Sequence, residues 1–430
     1  MHLVSLGWSR QSIILRIAHH LLLFSVGRPR PPGAARTGNH VWRADRTSWW
    51  SGDTRQCGEE VTAMVVSAPA APGAAGNGGT TREDRVDAFL ERVIADGGAA
   101  VAGLCTSLGD RLGLYRAMAG AGPLTAAQLA ARTGLVERYV REWLAAQVAG
   151  EYVTYAPERG TYLLPDAHAA VLADPALGSY AAGFFTVLQA VYATEDSLME
   201  AFRTGAGIGW EEHGPALFEG TAKFFRPGYT AALVPEWLAA LDGVVEKLER
   251  GGTVADVGCG YGYSTALMAR AFPNSRFTGY DFHRPSVEAA RGVAAEQGVA
   301  DRVSFEVAAA DDFPGAGFDL ITYFDCLHDI GDPGAALRHA AHALAEGGTC
   351  MIVEPNASAR DEENATPVGR VLTAASVAVC LPSALAQHGP QALGNHAGEG
   401  ALRDLADAAG LHHWRLATQS PVNRVYAVGR

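Results

Sequence analysis

From residue 251 onward the chain alternates between short runs of consecutive apolar residues and longer stretches in which apolar positions recur every three or four residues. The runs predict strands over Thr253–Gly258, Arg276–Asp281, Arg302–Ala308, Asp319–Asp325 and Thr349–Glu354. The longer stretches predict helices, among them Tyr263–Phe272, Pro285–Gln297 and Gly334–Leu344. Strands that alternate with helices build a doubly wound α/β sheet, because each crossover helix covers a face of the parallel strands. The end breaks that rhythm. A helix over Gly400–Ala409 is followed by His412–Gln419 and Val425–Gly429, a closing strand pair around Pro421.

The first 250 residues follow other patterns. From Arg82 to Asp110 apolar residues return at helical spacing, with Val86, Phe89, Leu90, Val93 and Ile94 on one face. Leu112–Met118 continues as helix, Thr125 is placed to cap a second helix that ends at Thr133-Gly134, and Val136–Val148 forms a third. Tyr152–Tyr155 and Thr161–Leu164, joined through Pro157 and Gly160, read as a hairpin. Helix, helix, helix, hairpin is the winged-helix order, so residues 82–174 are expected to form an α+β winged-helix domain. Residues 175–250 read as a helical linker with more aromatic side chains than a connection needs, including Trp210, Phe218, Phe225, Tyr229 and Trp237. Most are expected to pack, and some to line an apolar cavity where two domains meet. Residues 1–81 read as an extension, disordered or mis-assigned. Met64 is followed by a Pro/Gly-rich small-residue tract, and an initiation near Met64 is the expectation. The apolar stretch Ile13–Val26 is interrupted by Arg16, His19 and His20, too short and polar to span a bilayer.

At 430 residues the chain is long enough for two domains plus extensions. Its net charge of −12 disfavours nucleic-acid binding, and the third helix alternates Arg138 and Arg141 with Glu137 and Glu142 rather than presenting a basic face. DNA is therefore not the expected partner. The six cysteines are scattered, with neither a C-x-x-C pair nor zinc spacing, so a reduced cytoplasmic setting and no metal are expected. Cys259 and Cys326 read as apolar fillers more readily than as reactive thiols.

The most specific chemistry lies between Val254 and Gly262, V-A-D-V-G-C-G-Y-G, where a strand enters a loop with glycine at alternate positions. Such a turn requires positive φ and lets a ligand approach the backbone. The next strand ends on Asp281 about 20 residues on, the distance at which a carboxylate reaches a ribose in this kind of sheet. The loop is thus expected to bind a nucleoside. It lacks the third glycine spacing of dinucleotide sites and the G-K-[ST] of P-loops. With D-x-G-x-G-x-G and the following Tyr-Asp, the segment resembles class I S-adenosylmethionine (SAM)-dependent methyltransferases. The resemblance implies a Rossmann-like seven-stranded methyltransferase domain over 251–430, with SAM as cofactor. It implies Asp256, Gly258, Gly260, Gly262 and Asp281 as the cofactor set, Asp281 on the ribose hydroxyls and Asp256 close to the ligand's amino group. Ala310, Asp311 and Asp312, after the third strand, are implied for the adenine edge, and Phe324 joins the cofactor wall.

The fourth strand ends in F-D-C-L-H-D-I-G-D, a histidine between acids at the mouth of the sheet. The segment resembles that of small-molecule O-methyltransferases, which implies His328 as general base. Glu354, ending the adjacent strand, is the carboxylate expected to orient it. His388 and His396 are secondary candidates in the segment before the last helix. In that family the winged-helix domain makes a homodimer and walls the substrate pocket, so a homodimer and a small-molecule acceptor, an oxygen of an aromatic or polycyclic metabolite, are implied. N- or C-methylation is an alternative. So is a SAM-binding winged-helix transcriptional regulator.

Overall fold

The computed structural model describes residues 80–430. The expected extension and the possible start at Met64 lie outside these residues, apart from Thr80 and Thr81. The first helix, α1 (Arg82–Arg111), starts on a capping box in which the Thr81 hydroxyl accepts from the Asp84 amide. Three helices follow, α2 (Leu114–Met118), α3 (Ala126–Thr133) and α4 (Glu137–Ala149), and then a hairpin of β1 (Thr154–Ala156) and β2 (Thr161–Leu163). Thr125 caps α3 as expected, and Gly134 ends it with φ of +70°. Leu114, Tyr115, Leu129, Leu144 and Leu164 form the core of this unit.

The hairpin begins two residues later than expected. Glu151 takes a positive φ, and the amides of Tyr152 and Val153 donate to the Gln147 carbonyl, so the chain is still turning off α4 where the sequence pattern suggests a strand. A larger departure concerns α1. The face expected to pack is open, with Phe89 69% and Val101 72% exposed. The buried positions of α1 are Gly103, Thr106, Ser107 and Gly109, all in its last third.

After α5 (Asp166–Leu172), the linker comprises α6 (Phe184–Ala193), α7 (Glu195–Thr204), α8 (Pro215–Ala232), a π-helical turn at Leu233–Trp237 and α9 (Val244–Arg250). The remainder winds as β3 (Thr253–Val257), α10 (Tyr263–Ala271), β4 (Arg276–Asp281), α11 (Arg284–Glu296), β5 (Val303–Val307), β6 (Phe318–Phe324), α12 (Pro333–Ala343) and β7 (Leu344–Pro355). A cap of α13 (Pro367–Ala375), a π-turn and α14 (Leu381–Ala386) precedes α15 (Gly398–Ala408), β8 (His413–Gln419) and β9 (Asn423–Gly429). The seven-stranded sheet has the order β5-β4-β3-β6-β7-β9-β8. The first five strands of that order run parallel, and β9 inserts antiparallel between β7 and β8. The strand β7 starts at Leu344 rather than Thr349, because a bulge at Gly347 (φ +68°) lets Leu344 pair with Phe318 and Thr349 with Leu320.

The strand order reverses at β3, so the loops after β3 and β6 leave the sheet side by side. In open α/β sheets that crevice is where ligands bind. The cap that faces it, Pro367–Ala386, is the one helical run among the described residues long and apolar enough to cross a membrane, and 44% of its most apolar window is buried inside the fold.

Gly262 holds this corner together. Its φ is +71°, and a Cβ there would come within 2.5 Å of the Phe305 ring on β5 and 2.9 Å of Ala290 on α11. Gly262→Ala therefore combines left-handed strain with overpacking. We expect it to lower unfolding free energy by about 2–4 kcal/mol, read as a shifted denaturation midpoint with unchanged slope; an unshifted midpoint would contradict this account.

Candidate active site

The loop from Gly258 to Gly262 is pinned by two carboxylates that act on opposite sides of it. Asp281, at the end of β4, accepts from the Gly260 amide and from the His283 amide, both at 2.8 Å. Burial pushes its pKa up, and these two amide donors oppose the shift. Gly260 itself has φ of +53° and open space where a Cβ would stand. Asp256 lies behind the loop. It is fully buried and accepts from the hydroxyls of Ser264 (2.7 Å), Thr265 (2.6 Å) and Thr322 (3.0 Å). Burial raises its pKa, and the three hydroxyls offset part of that rise. It is absent from the wall of the cavity described next, and its three hydroxyl contacts fasten α10 to β3 and β6.

A cavity of about 1500 Å³ opens between the linker, the end of the winged-helix unit, the cap and the carboxyl ends of β3, β4 and β6. Pockets for single small ligands span about 300–1000 Å³, so this larger volume suits two ligands held together. Gly258, Gly260, Asp281, Ala310, Asp311 and Phe324 line it, whereas Gly262 and Asp312 do not. Gly262 serves packing instead. Asp312 lies exposed on the far side of its turn. His388 and His396 are likewise absent from the wall, where Gln387, Gly389 and Asn395 stand in their place. Burial pushes the thiols of Cys259 and Cys326 well above their ordinary values, which suits their role as fillers.

At the end of β6 the His328 ring is 4% exposed and held between two acids. Its Nδ1 lies 2.5 Å from Glu354 Oε2 and its Nε2 3.2 Å from Asp329 Oδ1. The second Glu354 oxygen accepts from the Leu327 amide at 3.1 Å, fixing the carboxylate on β7 against the loop. Burial opposes the imidazolium, but Asp329 and then Glu354 outweigh it and hold the pKa well above the ordinary histidine value. The donor atoms of His328, Asp329 and Cys380 lie within 4.8 Å of one another, one donor short of a closed structural zinc site.

Three lining residues carry no signal in the sequence pattern. Phe282, directly after Asp281, is half-exposed into the cavity. Arg226, on α8, stacks 4.9 Å over the Tyr263 ring beside the glycine loop and is, among the described residues, the one guanidinium on the wall. Asp325 has φ of +50° and accepts from Tyr229 Oη (3.2 Å) and Asn423 Nδ2 (2.7 Å). Burial and then the nearby Glu354 carboxylate push its pKa up to about 7. The "D" of F-D-C-L-H-D is the only sequence hint for it.

Fold and site together define a winged-helix domain followed by a class I methyltransferase domain. Residues 99–174 match the family described as the Rv2258c-like winged HTH domain, and residues 248–395 match the family described as a methyltransferase domain. The chain is similar to ajmaline N-methyltransferase of Rauvolfia serpentina, 27% identical over 37% of this chain and 57% of that protein. It is also similar to 27-O-demethylrifamycin SV methyltransferase of Amycolatopsis mediterranei, 32% identical over 30% of this chain and 49% of that protein. The chain thus spans about half the length of the curated relatives it matches. Among solved structures, human N-acetylserotonin methyltransferase bound to SAM superposes with a TM-score of 0.59 at 17% identity, over 82% of this chain and 99% of that one. That likeness confirms the fold.

The placement of Asp256 makes a prediction independent of any ligand. Asp256→Ala leaves the Ser264, Thr265 and Thr322 hydroxyls without their shared acceptor in a fully buried site. It should lower stability by about 3 kcal/mol or more, measured by urea unfolding; a loss under about 1 kcal/mol would refute the anchoring role.

Proposed function

We propose that the protein transfers the methyl group of SAM to a small-molecule acceptor, an oxygen of an aromatic or polycyclic metabolite. The observation that carries this reading is the juxtaposition, on one cavity wall, of the Asp281-braced glycine loop and His328, whose Nδ1 Glu354 holds from outside that wall. When bound, SAM supplies a methyl group on a positively charged sulfur.

The residues fit that group. Asp281 uses two lone-pair positions on loop amides and retains others for a ribose hydroxyl pair. Phe282 offers a ring face to the adenine, with Ala310 and Asp311 at its edge. Arg226 supplies the cation for the methionine carboxylate, and Gly260 leaves the backbone open to close approach. Phe324 forms part of the wall behind the transferred group.

His328 is then the base. A phenol of pKa about 10 facing an ordinary histidine of about 6.5 makes proton transfer uphill by roughly 5 kcal/mol. Asp329 and Glu354 narrow that gap by strengthening the base. The same effect keeps the imidazole protonated, and hence unable to accept, until pH rises through its raised pKa. Activity should therefore increase with pH along an acid limb set by His328. Asp329→Asn should move that limb to lower pH, and His328→Gln should cut kcat by about 100-fold or more while SAM binding is retained. Turnover by His328→Gln within about tenfold of the native rate, or a limb unmoved by Asp329→Asn, would remove the histidine from the mechanism.

A second copy of the chain is the partner that fits α1. Residues 82–100 of this helix have almost no cover, and an isolated helix of that length is marginal in water. The open stripe of Val86, Phe89, Val93, Ile94 and Val101 supplies the apolar surface an interface needs. The setting is the cytoplasm, in keeping with the five free cysteines among the described residues. Light scattering on the purified protein should give twice the chain mass, and the pair Phe89→Asp and Val101→Asp should give a folded monomer. A native monomer would sink the dimer.

A further inference from the structure

The charges on the cavity wall are unbalanced. Among the described residues, Glu151, Asp281, Asp311, Asp325, Asp329 and Asp332 line it, against Arg226 and the His328 imidazole, with no lysine. Asp281 and Asp311 face the end assigned to the nucleoside, and Asp329 pairs with His328. Of the other three, Glu151 is exposed and Asp332 caps α12 on the Ala335 amide, which leaves Asp325, whose hydrogen-bond partners, Tyr229 and Asn423, are both neutral.

The surroundings of Asp325 are aromatic. The Tyr229 ring stacks 5.6 Å from Phe225 and lies 5.4 Å from Phe324 and 5.8 Å from Trp237, and all four rings line the cavity. A half-buried carboxylate beside several aromatic rings is the chemistry that recognises an organic cation, through one charge-assisted contact and cation–π attraction. The backbone supports a positioned side chain. Asp325 is one of three non-glycine residues with positive φ among the described residues, and its amide donates to the Val353 carbonyl at 2.8 Å. This conformation turns the carboxylate off the line of β6 and into the cavity.

We propose that Asp325, with the rings of Tyr229, Phe324 and Trp237, forms a subsite for an organic cation, and that its occupant is a protonated amine carried by the methyl acceptor. The inference rests on the methyl-transfer reading and narrows its substrate class to amine-bearing aromatic compounds. The amine is anchored at Asp325 while a hydroxyl of the same molecule meets His328, three residues along the chain. The uncharged methyl group and the acceptor ring occupy the apolar remainder of the wall.

Hydroxynaphthalenes paired with their aminomethyl derivatives test this on the full chain saturated with S-adenosylhomocysteine. The native protein should bind each amine about tenfold or more tightly than its neutral counterpart, the effect of one hydrogen bond to a charged group. Asp325→Asn keeps the shape and tolerates left-handed backbone. It should erase that preference while changing affinity for S-adenosylhomocysteine less than about twofold and leaving the melting temperature unchanged. No preference in the native protein overturns the subsite. So does a variant that keeps the preference but loses affinity for SAM relative to S-adenosylhomocysteine, since the cation would then be the cofactor's sulfur. Failure to bind S-adenosylhomocysteine at all would instead refute the methyl-transfer reading beneath it.

Discussion

The chain passes from β3 into α10 in five residues, and three of those five have left-handed backbone, with φ of +72°, +53° and +71° at Gly258, Gly260 and Gly262. Most other residue types would be strained at each step, so three such turns in five residues favour glycine. Freedom alone would leave the loop mobile, and the two carboxylates remove it. Asp281 takes the amide at the centre of the turn, while Asp256 takes hydroxyls from the helix beyond it and from the strand beside it. The crevice that holds the cavity exists because this turn is both sharp and fixed.

The two ends of the loop illustrate how glycines at regular spacing divide their tasks. At Gly258 a Cβ would meet the Cys326 sulfur at 2.6 Å, and at Gly262 it would meet Phe305, so both positions are closed by neighbouring protein. Gly260 faces open space. The outer two let strand, helix and the His328 loop approach one another, and the middle one leaves room for a ligand. A motif written as one pattern therefore holds two positions closed by packing, of which Gly258 also lines the cavity, around one that is open.

Much of this was legible in the sequence, for identifiable reasons. The parallel strands announce themselves because both faces are buried, which makes their apolar runs continuous. The pairing of His328 with Glu354 follows from adjacency, since β6 and β7 run parallel with Phe324 opposite Val353 and their ends emerge together. Other features depend on distances the sequence does not carry. Arg226 and Tyr229 reach the site from a helix whose spacing reads as ordinary packing. The open face of α1 has the same periodicity as a buried one, because an interface and a core ask for the same residues. Asp256 could not be assigned a direction from its position in the motif; that depends on hydroxyls at 264, 265 and 322.

The charge at the end of β6 explains why the same segment holds so many acids. An imidazole with one carboxylate partner is oriented; with a second at 3.2 Å it also becomes a stronger base. Glu354 supplies the first effect from β7 and Asp329 the second from the next residue of the loop. Each added acid, however, raises the electrostatic cost of the site; burial first, and then the Glu354 carboxylate, hold the Asp325 pKa up. Asp325 accepts from two neutral partners, Tyr229 and Asn423, and lines the cavity. An acid-rich wall and a strengthened histidine are two consequences of one arrangement, and the excess of carboxylates favours ligands that bring positive charge with them.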